Sequence, residues 1–332
     1  MKKPRARAST GLRTRVVPAE GAGLRRAAEL LRAGGLVAFP TETVYGLGAR
    51  AFDAAACARV YRAKGRPSSN PLIVHVDGPD MLARVARSAS PLARRLMKAF
   101  WPGPLTLIFD KTAAVPAAVT GGRATVAVRC PSHPAALALL RALGEPVAAP
   151  SANLSGRPSP TTAAHVLRDL RGRVPLILDG GPCRRGLESA IVDARGRRPV
   201  LLRPGTIPPE ALARAAGAAV AAPGRGAPAA PGTRHRHYAP SCRVILLPPA
   251  LVREGFAGLG RRDGLVHRSA WKGVKPAFAR RVRGGVASYA RELFAALRAA
   301  EAARVATLYV ETVPDAGVGR AVMDRLRRAA ER

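Results

Sequence analysis

Short apolar runs alternate with helical patterns along most of this 332-residue chain. The first helical pattern, residues 22–32, ends at Gly34-Gly35, and an apolar run at 36–39 follows it. Further strands are predicted at 72–76, 105–109, 125–129, 147–150, 176–178, 190–192 and 200–202, and further helices at 53–63, 90–100 and 134–143. Such alternation is typical of the α/β class and predicts a mixed, twisted sheet with flanking helices.

A tract rich in Ala, Gly, Pro and Arg, residues 211–232, divides the chain and is typical of a linker. A second α/β pattern follows it, with a strand at 244–247, an amphipathic helix at 288–303, a strand at 305–310 and a last helix at 319–330. We therefore predict four parts: a disordered basic arm (1–20), an α/β domain (21–212), a linker (213–240) and a smaller α/β domain (241–332).

Composition narrows the class of partner. Lys and Arg number 55 against 21 Asp and Glu, giving a formal charge of +34, which favours nucleotides, nucleic acid or other anions. A genome that favours arginine codons would place many arginines on the solvated surface, and this explains the net charge equally well. No apolar run is long enough to span a membrane, and the basic N-terminus has no apolar segment of a secretory signal. The four cysteines stand far apart and form no CxxC pair, so we expect neither a zinc site nor a disulfide framework, which fits a reducing, cytoplasmic compartment.

Lys64 and Arg66 follow a predicted helix and stand two residues apart. Two such cations can converge on one polyphosphate, because arginine offers a planar fork and lysine a point charge to phosphate oxygens. An ordinary basic turn is the alternative in a chain this rich in arginine. We expect both side chains on an exposed rim.

Arg129 shares one face of its predicted strand with Thr125 and Ala127. A buried arginine is costly unless an anion pairs with it. The anion could be a structural Asp or Glu, or the carboxylate of a substrate.

Other polar strings lie at predicted strand ends or in loops, where α/β sheets usually bind ligands. They are 40–48 (PTETVYGLG), 149–156 (APSANLSG), 188–193 (ESAIVD), 203–205 (RPG) and 234–240 (RHRHYAP). The His-x-His of the last string has no nearby carboxylate or thiol, so we predict no metal site there, and the string could close over a site as a lid. The chain has no P-loop and no dinucleotide-binding glycine fingerprint, so its chemistry would rest on charge neutralisation and positioning.

Taken together, these strings resemble the threonylcarbamoyl-AMP synthases, the two-domain members of the YrdC-like family, from about residue 21 to 240. The strings FPTETVYGLG at 39–48 and APSAN at 149–153 are highly specific. The resemblance implies a YrdC-like catalytic domain at 21–212 with a deep, basic, concave site, and a lid within the linker. It implies a threonine site at Thr43, His75, Arg129, Ser151 and Ser189. It implies an ATP site at Lys64, Arg66, Asn70, Thr125, Asn153, Thr161, Arg203 and Tyr238, with Lys64, Arg66, Ser151 and Asn153 catalytic.

The resemblance also implies a reaction: threonine, bicarbonate or carbon dioxide, and ATP give threonylcarbamoyl-adenylate and pyrophosphate, the first step of a tRNA modification. Mg²⁺ would arrive with ATP, a separate transferase would use the product, and the chain could contact tRNA directly. Two departures from the family pattern are Ala190 in place of Thr, and Ala-Pro-Gly at 230–232 in place of Ser-Pro-Gly. The second domain matches only by position and α/β pattern.

Two rival functions remain at this point. A basic module that binds tRNA or double-stranded RNA without chemistry would account for the net charge. A carbamoyl-transfer enzyme of the hydrogenase-maturation type contains a similar domain, but such proteins also carry Cys-rich zinc motifs, which this chain lacks.

Overall fold

The computed structural model describes residues 11–224 and 238–331, which we call the N-terminal unit and the C-terminal unit. The strands of the N-terminal unit are β1 (Arg15–Pro18), β2 (Val37–Phe39), β3 (Gly46–Arg50), β4 (Ile73–His75), β5 (Leu105–Asp110), β6 (Thr125–Arg129), β7 (Val147–Ala149), β8 (Leu176–Asp179), β9 (Ala190–Asp193) and β10 (Val200–Arg203). Its helices are α1 (Gly21–Arg32), α2 (Ala54–Lys64), α3 (Pro79–Ala83), α4 (Pro91–Phe100), α5 (Ala117–Thr120), α6 (Pro134–Leu143), α7 (Ala163–Leu170) and α8 (Pro209–Ala216).

The strands of the N-terminal unit form one sheet in the order β1-β8-β2-β3-β7-β4-β6-β5-β9-β10. The sheet contains both parallel pairs, such as β4 with β6, and antiparallel pairs, such as β4 with β7 and β5 with β6. Ala, Leu and Val supply most of the buried core, as the scarcity of aromatic residues requires. The predicted α/β class with a mixed sheet is confirmed.

Helix ends in this unit follow ordinary capping rules. Asp53 accepts a hydrogen bond from the Ala56 amide at 2.8 Å and begins α2, and Gly65 ends it in the left-handed conformation (φ 62°). After that turn, the Arg66 amide donates to the carbonyl oxygen of Tyr61 in the last turn of α2 at 3.0 Å, and the side chains of Lys64 and Arg66 are both buried. The end of α2 therefore directs Lys64 and Arg66 inward.

Two parts of the sheet differ from the prediction. Residues 46–48, expected in a loop, belong to β3 (Gly46–Arg50), and residues 15–18 of the predicted arm form β1, which pairs in parallel with β8. Pairing gives these backbone groups partners, so the interpretation of the whole segment 1–20 as disordered is wrong for 15–18. Residues 1–10, 225–237 and 332 lie outside the described residues, and with them nearly half of the predicted linker and residues 234–237 of the string 234–240.

The C-terminal unit contains β11 (Arg243–Leu247), α9 (Pro249–Glu254), β12 (Gly264–His267), β13 (Phe278–Arg281), α10 (Val286–Ala302), β14 (Thr307–Glu311) and α11 (Gly319–Ala330). Its strands lie in the order β11-β14-β12-β13, and each pair is parallel. The sequence did not indicate α9, β12 or β13. Among the described residues, no helix is both long and apolar enough to cross a membrane.

Buried ion pairs join the two units. Arg298 of α10 is fully buried and donates to both carboxylate oxygens of Asp169 in α7, at 3.2 and 2.7 Å. Arg325 of α11 is also fully buried and donates from Nε to Oε2 of Glu188 at 3.1 Å. The C-terminal unit is thus fixed against the face of the N-terminal unit that carries the polar strings.

Candidate functional site

A basic pocket lies where several strands of the N-terminal sheet end. β4 contributes His75, β6 contributes Arg129, β10 contributes Arg203, and Ser151 follows β7. The pocket volume is about 50 Å³, so the pocket holds little free space in this structure. Eight of the predicted site residues line it: Thr43, Arg66, His75, Arg129, Ser151, Ser189, Arg203 and Tyr238.

Lys64 and Asn153 stand directly behind this lining. The Lys64 ammonium donates to the Ser151 carbonyl oxygen at 2.5 Å and to the Asn153 carbonyl oxygen. The Ser151 hydroxyl in turn donates to Asn153 Oδ1 at 2.5 Å. Lys64 therefore holds the 151–153 loop in place.

The expectation of an exposed rim is wrong for both predicted phosphate-binding cations. Lys64 is 2% exposed and Arg66 is 8% exposed. Burial, followed by the charge of Arg66, holds the pKa of Lys64 well below its usual value, and burial lowers the pKa of Arg66 to about 10. Arg66 donates to the carbonyl oxygens of Asn70 at 3.1 Å and Pro71 at 2.9 Å, which fixes its guanidinium toward the pocket.

Arg129 has a carboxylate partner within its own chain. Its Nη2 lies 2.6 Å from Glu42 Oε1, Nη1 donates to the Thr43 hydroxyl at 2.8 Å, and Nε donates to the Gly103 carbonyl oxygen at 3.2 Å. Burial raises the pKa of Glu42, but the charge and hydrogen bonds of Arg129 outweigh it and the net shift is downward. The sequence left two anionic partners open for Arg129, a structural carboxylate or a substrate carboxylate. In this structure the partner is the structural carboxylate of Glu42.

Ser189 and Arg203 form the opposite wall. Arg203 donates from Nε and Nη2 to the Ser189 carbonyl oxygen at 3.3 and 3.0 Å, and the Ser189 hydroxyl lies 2.7 Å from that of Thr106. A Cβ on Gly205 would stand 2.0 Å from the Ala190 amide nitrogen. Only glycine permits that approach, which brings the β10 end against the start of β9.

Tyr238 closes the pocket from the C-terminal unit. It is fully buried, stacks on Phe294 at 5.3 Å between ring centroids, and lies beneath the Arg325 guanidinium at 5.4 Å. The next residue, Ala239, donates its amide to the Gly156 carbonyl oxygen at 2.9 Å. Residues from both units therefore enclose the site.

His75 is a buried neutral group in the pocket wall. Its ring meets Phe39 edge-on at 5.8 Å between centroids. Burial, then the nearby charge of Arg129, lowers the pKa of His75 to about 3. At neutral pH its ring can accept and donate hydrogen bonds without carrying charge.

Three predicted ATP-site residues do not line the pocket. Thr125 begins β6 and lies on the same face as Ala127, which pairs with the pocket residue Ile73. Asn70 contacts Arg66 through its carbonyl oxygen, and the Thr161 hydroxyl lies 3.3 Å from His165 Nδ1. Their predicted role remains a prediction.

Sequence reasoning missed several residues that shape the site. Glu42 and Glu188 were inside the quoted strings but had no role, although a buried Arg129 and a basic pocket both require carboxylates. Thr106 and Arg325 gave no motif signal, because their distance in sequence from the site hides their contacts. Among the described residues, no group of three or more His, Cys, Asp or Glu side chains is placed to hold a metal ion.

Comparisons with known proteins agree with this architecture. A family model described as Telomere recombination matches residues 29–205, and one described as Threonylcarbamoyl-AMP synthase, C-terminal domain, matches residues 207–331. The chain is 43% identical over 321 residues to a threonylcarbamoyl-AMP synthase of Pyrococcus abyssi, covering 92% of this chain and 94% of that one. It is 44% identical over 321 residues to a Bacillus subtilis protein of the same name, covering 92% of each.

Solved structures extend the comparison. A structure of Pyrococcus abyssi Sua5 complexed with L-threonine superposes with a TM-score of 0.86 at 40% identity, covering 97% of this chain and 98% of that one. A doubly substituted form of the same protein gives a TM-score of 0.87 at 39% identity, covering 96% of each chain. These matches do not favour a non-catalytic RNA-binding module, and the chain belongs to the two-domain threonylcarbamoyl-AMP synthase family.

Proposed function

We propose that this chain makes L-threonylcarbamoyladenylate from L-threonine, bicarbonate or carbon dioxide, and ATP, and releases pyrophosphate. The observation that carries the proposal is the convergence of three buried arginines, Arg66, Arg129 and Arg203, on one pocket. Buried cations are costly unless anions accompany them. A carboxylate and a triphosphate are the anions that this nucleotidyl transfer brings together.

Threonine would lie at the hydroxyl-rich end of the pocket. Thr43, Ser151 and Ser189 offer hydroxyls there, neutral His75 offers a ring nitrogen, and Arg129 offers positive charge. Because Glu42 already pairs with Arg129, the substrate carboxylate would share the guanidinium with it. Glu42 would then orient Arg129 as well as stabilise it.

ATP would extend from Arg203 and Arg66 toward Thr125 and Asn70, under Tyr238. Lys64, Asn153 and Thr161 complete the proposed nucleotide site. Lys64 does not line the pocket but donates to the carbonyl oxygens of Ser151 and Asn153, so in this structure it supports the 151–153 loop. Arrival of a triphosphate would favour its charged form.

The reaction joins anion to anion, so alignment and neutralisation are the protein's main contributions. The threonine amine nitrogen bonds to the carbon of carbon dioxide and loses a proton, giving N-carboxy-threonine. An oxygen of the new carboxylate attacks the α-phosphorus, and the bond from that phosphorus to the β-bridging oxygen breaks. Pyrophosphate leaves, and Arg66 and Arg203 offset the charge that develops.

Mg²⁺ would enter with ATP, held by phosphate oxygens and water. The two carboxylates nearest the pocket are already engaged, Glu42 by Arg129 and Glu188 by Arg325 and Ser159. They do not form a free ligand pair, so we assign no step to a protein-bound metal. In the cell, we propose a cytoplasmic enzyme whose product passes to a tRNA threonylcarbamoyl transferase, with direct tRNA contact by the basic surface.

The test is incubation of the full chain with labelled threonine, bicarbonate and ATP-Mg²⁺, with chromatography of the adenylate and assay of pyrophosphate. We expect both products in equal amounts and only when threonine and bicarbonate are present. Arg66→Ala should lower the rate about a hundredfold, which corresponds to about 3 kcal/mol of transition-state stabilisation.

Arg62→Ala is the matched control, because Arg62 is exposed on α2, the helix that Arg66 follows. It should retain the parent rate. Pyrophosphate release that is independent of threonine would contradict the assignment, as would equal losses in the two variants.

A further inference from the structure

A second basic pocket lies in the C-terminal unit, at the edge where its strands end. The four strands are parallel, so their carboxyl ends meet at one edge, the usual ligand-binding edge of open α/β sheets. The pocket has a volume of about 340 Å³, within the range of about 300–1,000 Å³ typical of small-molecule sites. We call it the edge pocket.

Four arginines line the edge pocket: Arg253, Arg268, Arg281 and Arg283. Within residues 11–224 and 238–331, none of them forms an ion pair with a carboxylate. Arg268 donates to the Gly284 carbonyl oxygen at 3.3 Å, and Arg281 donates to the Arg268 carbonyl oxygen at 3.3 Å. The Nε of Arg268 is buried without a hydrogen-bond partner in the described part of the chain.

The acidic group of the edge pocket is already engaged. Glu311 is 2% exposed and accepts hydrogen bonds from the amides of Arg268 and Ser269, at 2.5 and 2.8 Å, and from the Ser269 hydroxyl at 2.6 Å. It therefore fixes the loop that presents Arg268. The pocket lining keeps a surplus of three positive charges.

Backbone amides add to the positive electrostatic potential of the edge pocket. Gly284 lines the edge pocket, and α10, a 17-residue helix, begins two residues later at Val286. Its N-cap residue, Gly285, offers no side-chain hydrogen bond to the first turn. The amides of Val286 and Ala287 precede the first hydrogen bond of the helix, which the Ser288 amide donates to the Gly285 carbonyl oxygen at 3.1 Å, so these two amides are suited to an anion.

We propose that the edge pocket binds the phosphate groups of a small phosphorylated molecule. Guanidinium groups match phosphate oxygens in charge and geometry, and a volume of about 340 Å³ suits a compact ligand. The proposal is independent of the proposed function, because none of its residues belongs to the N-terminal pocket.

The test is calorimetric titration of the full chain with inorganic pyrophosphate. The Arg66→Ala background is used throughout, so that the first pocket contributes less to the heat. We expect one saturable site, and we expect R281Q/R283Q to weaken its affinity about tenfold or more, because two charge-assisted contacts are lost. The matched control is R261Q/R262Q, which removes the same charge from the exposed loop at the opposite edge of the same sheet.

The control pair should leave the affinity unchanged. Equal weakening by both pairs would mean general surface electrostatics and would overturn the proposal. Identical titrations of R281Q/R283Q and its background would also overturn it. If pyrophosphate fails to bind and a short single-stranded RNA binds instead, the edge is a nucleic-acid surface and the small-ligand proposal is wrong. In the otherwise unaltered chain, R281Q/R283Q should keep its thermal unfolding midpoint, which excludes a folding defect.

Discussion

Arg129 and Glu42 form an ion pair that is almost entirely removed from water, with side chains 5% and 3% exposed. Breaking such a pair leaves one charge buried and uncompensated, which costs far more than breaking a surface pair. Arg129 also lines the pocket proposed to bind threonine. We therefore expect stability and substrate binding to depend on the same contact.

Glu42→Gln should lower the free energy of unfolding by about 3 kcal/mol, because Arg129 loses its carboxylate inside the protein. Glu145→Gln is the matched control, since Glu145 pairs with Arg50 at 2.9 Å where the side chains are 27% and 30% exposed. Its loss should stay below about 1 kcal/mol. Urea denaturation of both variants measures the difference, and equal losses would contradict the buried-pair argument.

His75 should make stability depend on pH. The folded protein holds its pKa near 3 against an ordinary value of 6.5, so below pH 6.5 the unfolded chain takes up a proton that the folded chain refuses. Its contribution is complete above pH 6.5 and is lost as the pH falls toward 3, at up to about 1.4 kcal/mol per pH unit. Urea denaturation at several pH values should show a shallower slope for His75→Gln than for the parent. Superimposable slopes would show that His75 does not titrate in this window.

At the scale of elements, the sequence predicted correctly the helices and strands whose residues carry a strong local signal. β6 and α6 lie at the residues predicted, because a β-branched run and a Pro134-to-Gly144 frame are strong local signals. β3 was missed because glycine disfavours strands in isolation. In the fold, Gly46 and Gly48 lie against the Phe39 ring, and a Cβ on Gly48 would stand 2.7 Å from Val147 Cγ1. Tertiary packing, which a local pattern does not contain, selects the strand there.

Gly48→Ala should therefore destabilise the protein by about 1–3 kcal/mol through overpacking. Gly196→Ala is the matched control, because a Cβ there meets nothing within 4 Å. It should be neutral or slightly stabilising. Thermal or urea unfolding compares the two, and a neutral Gly48→Ala would contradict the packing explanation for β3.

The candidate site likewise contains residues that motifs predicted and residues that only the folded chain brings together. Motifs predicted eight of the residues that line the pocket, but gave no role to Glu42, Glu188, Thr106 and Arg325, which contact them or support the pocket. Burial of Lys64 and Arg66 was also missed. Burial depends on the 151–153 loop and on Tyr238, which reach the end of α2 only after folding.

At the scale of the whole molecule, the C-terminal unit completes the site. Arg325 connects Glu188, the Pro204 carbonyl oxygen at 2.7 Å and the Tyr238 ring. Tyr238 has a positive φ of 67°, a conformation that surrounding contacts must maintain. Loss of Arg325 should therefore weaken the contacts that hold Tyr238 and the Pro204 segment at the pocket.

Arg325→Gln should raise the KM for ATP severalfold and lower the free energy of unfolding by about 3 kcal/mol, because Glu188 loses its buried partner. Arg327→Gln is the matched control on the same helix, since its pair with Asp315 is exposed. It should change neither quantity appreciably. An unchanged KM for ATP in a folded Arg325→Gln variant would show that this contact of the C-terminal unit does not contribute to nucleotide binding, and would contradict the prediction.

The most direct measurement is a crystal structure of the full chain with L-threonine and a non-hydrolysable ATP analogue. We predict the threonine carboxylate within hydrogen-bonding distance of Arg129, and the triphosphate against Arg66 and Arg203 in the same pocket. A structure with threonine or the triphosphate bound elsewhere, and with Arg129 contacting only Glu42, would contradict the proposed function.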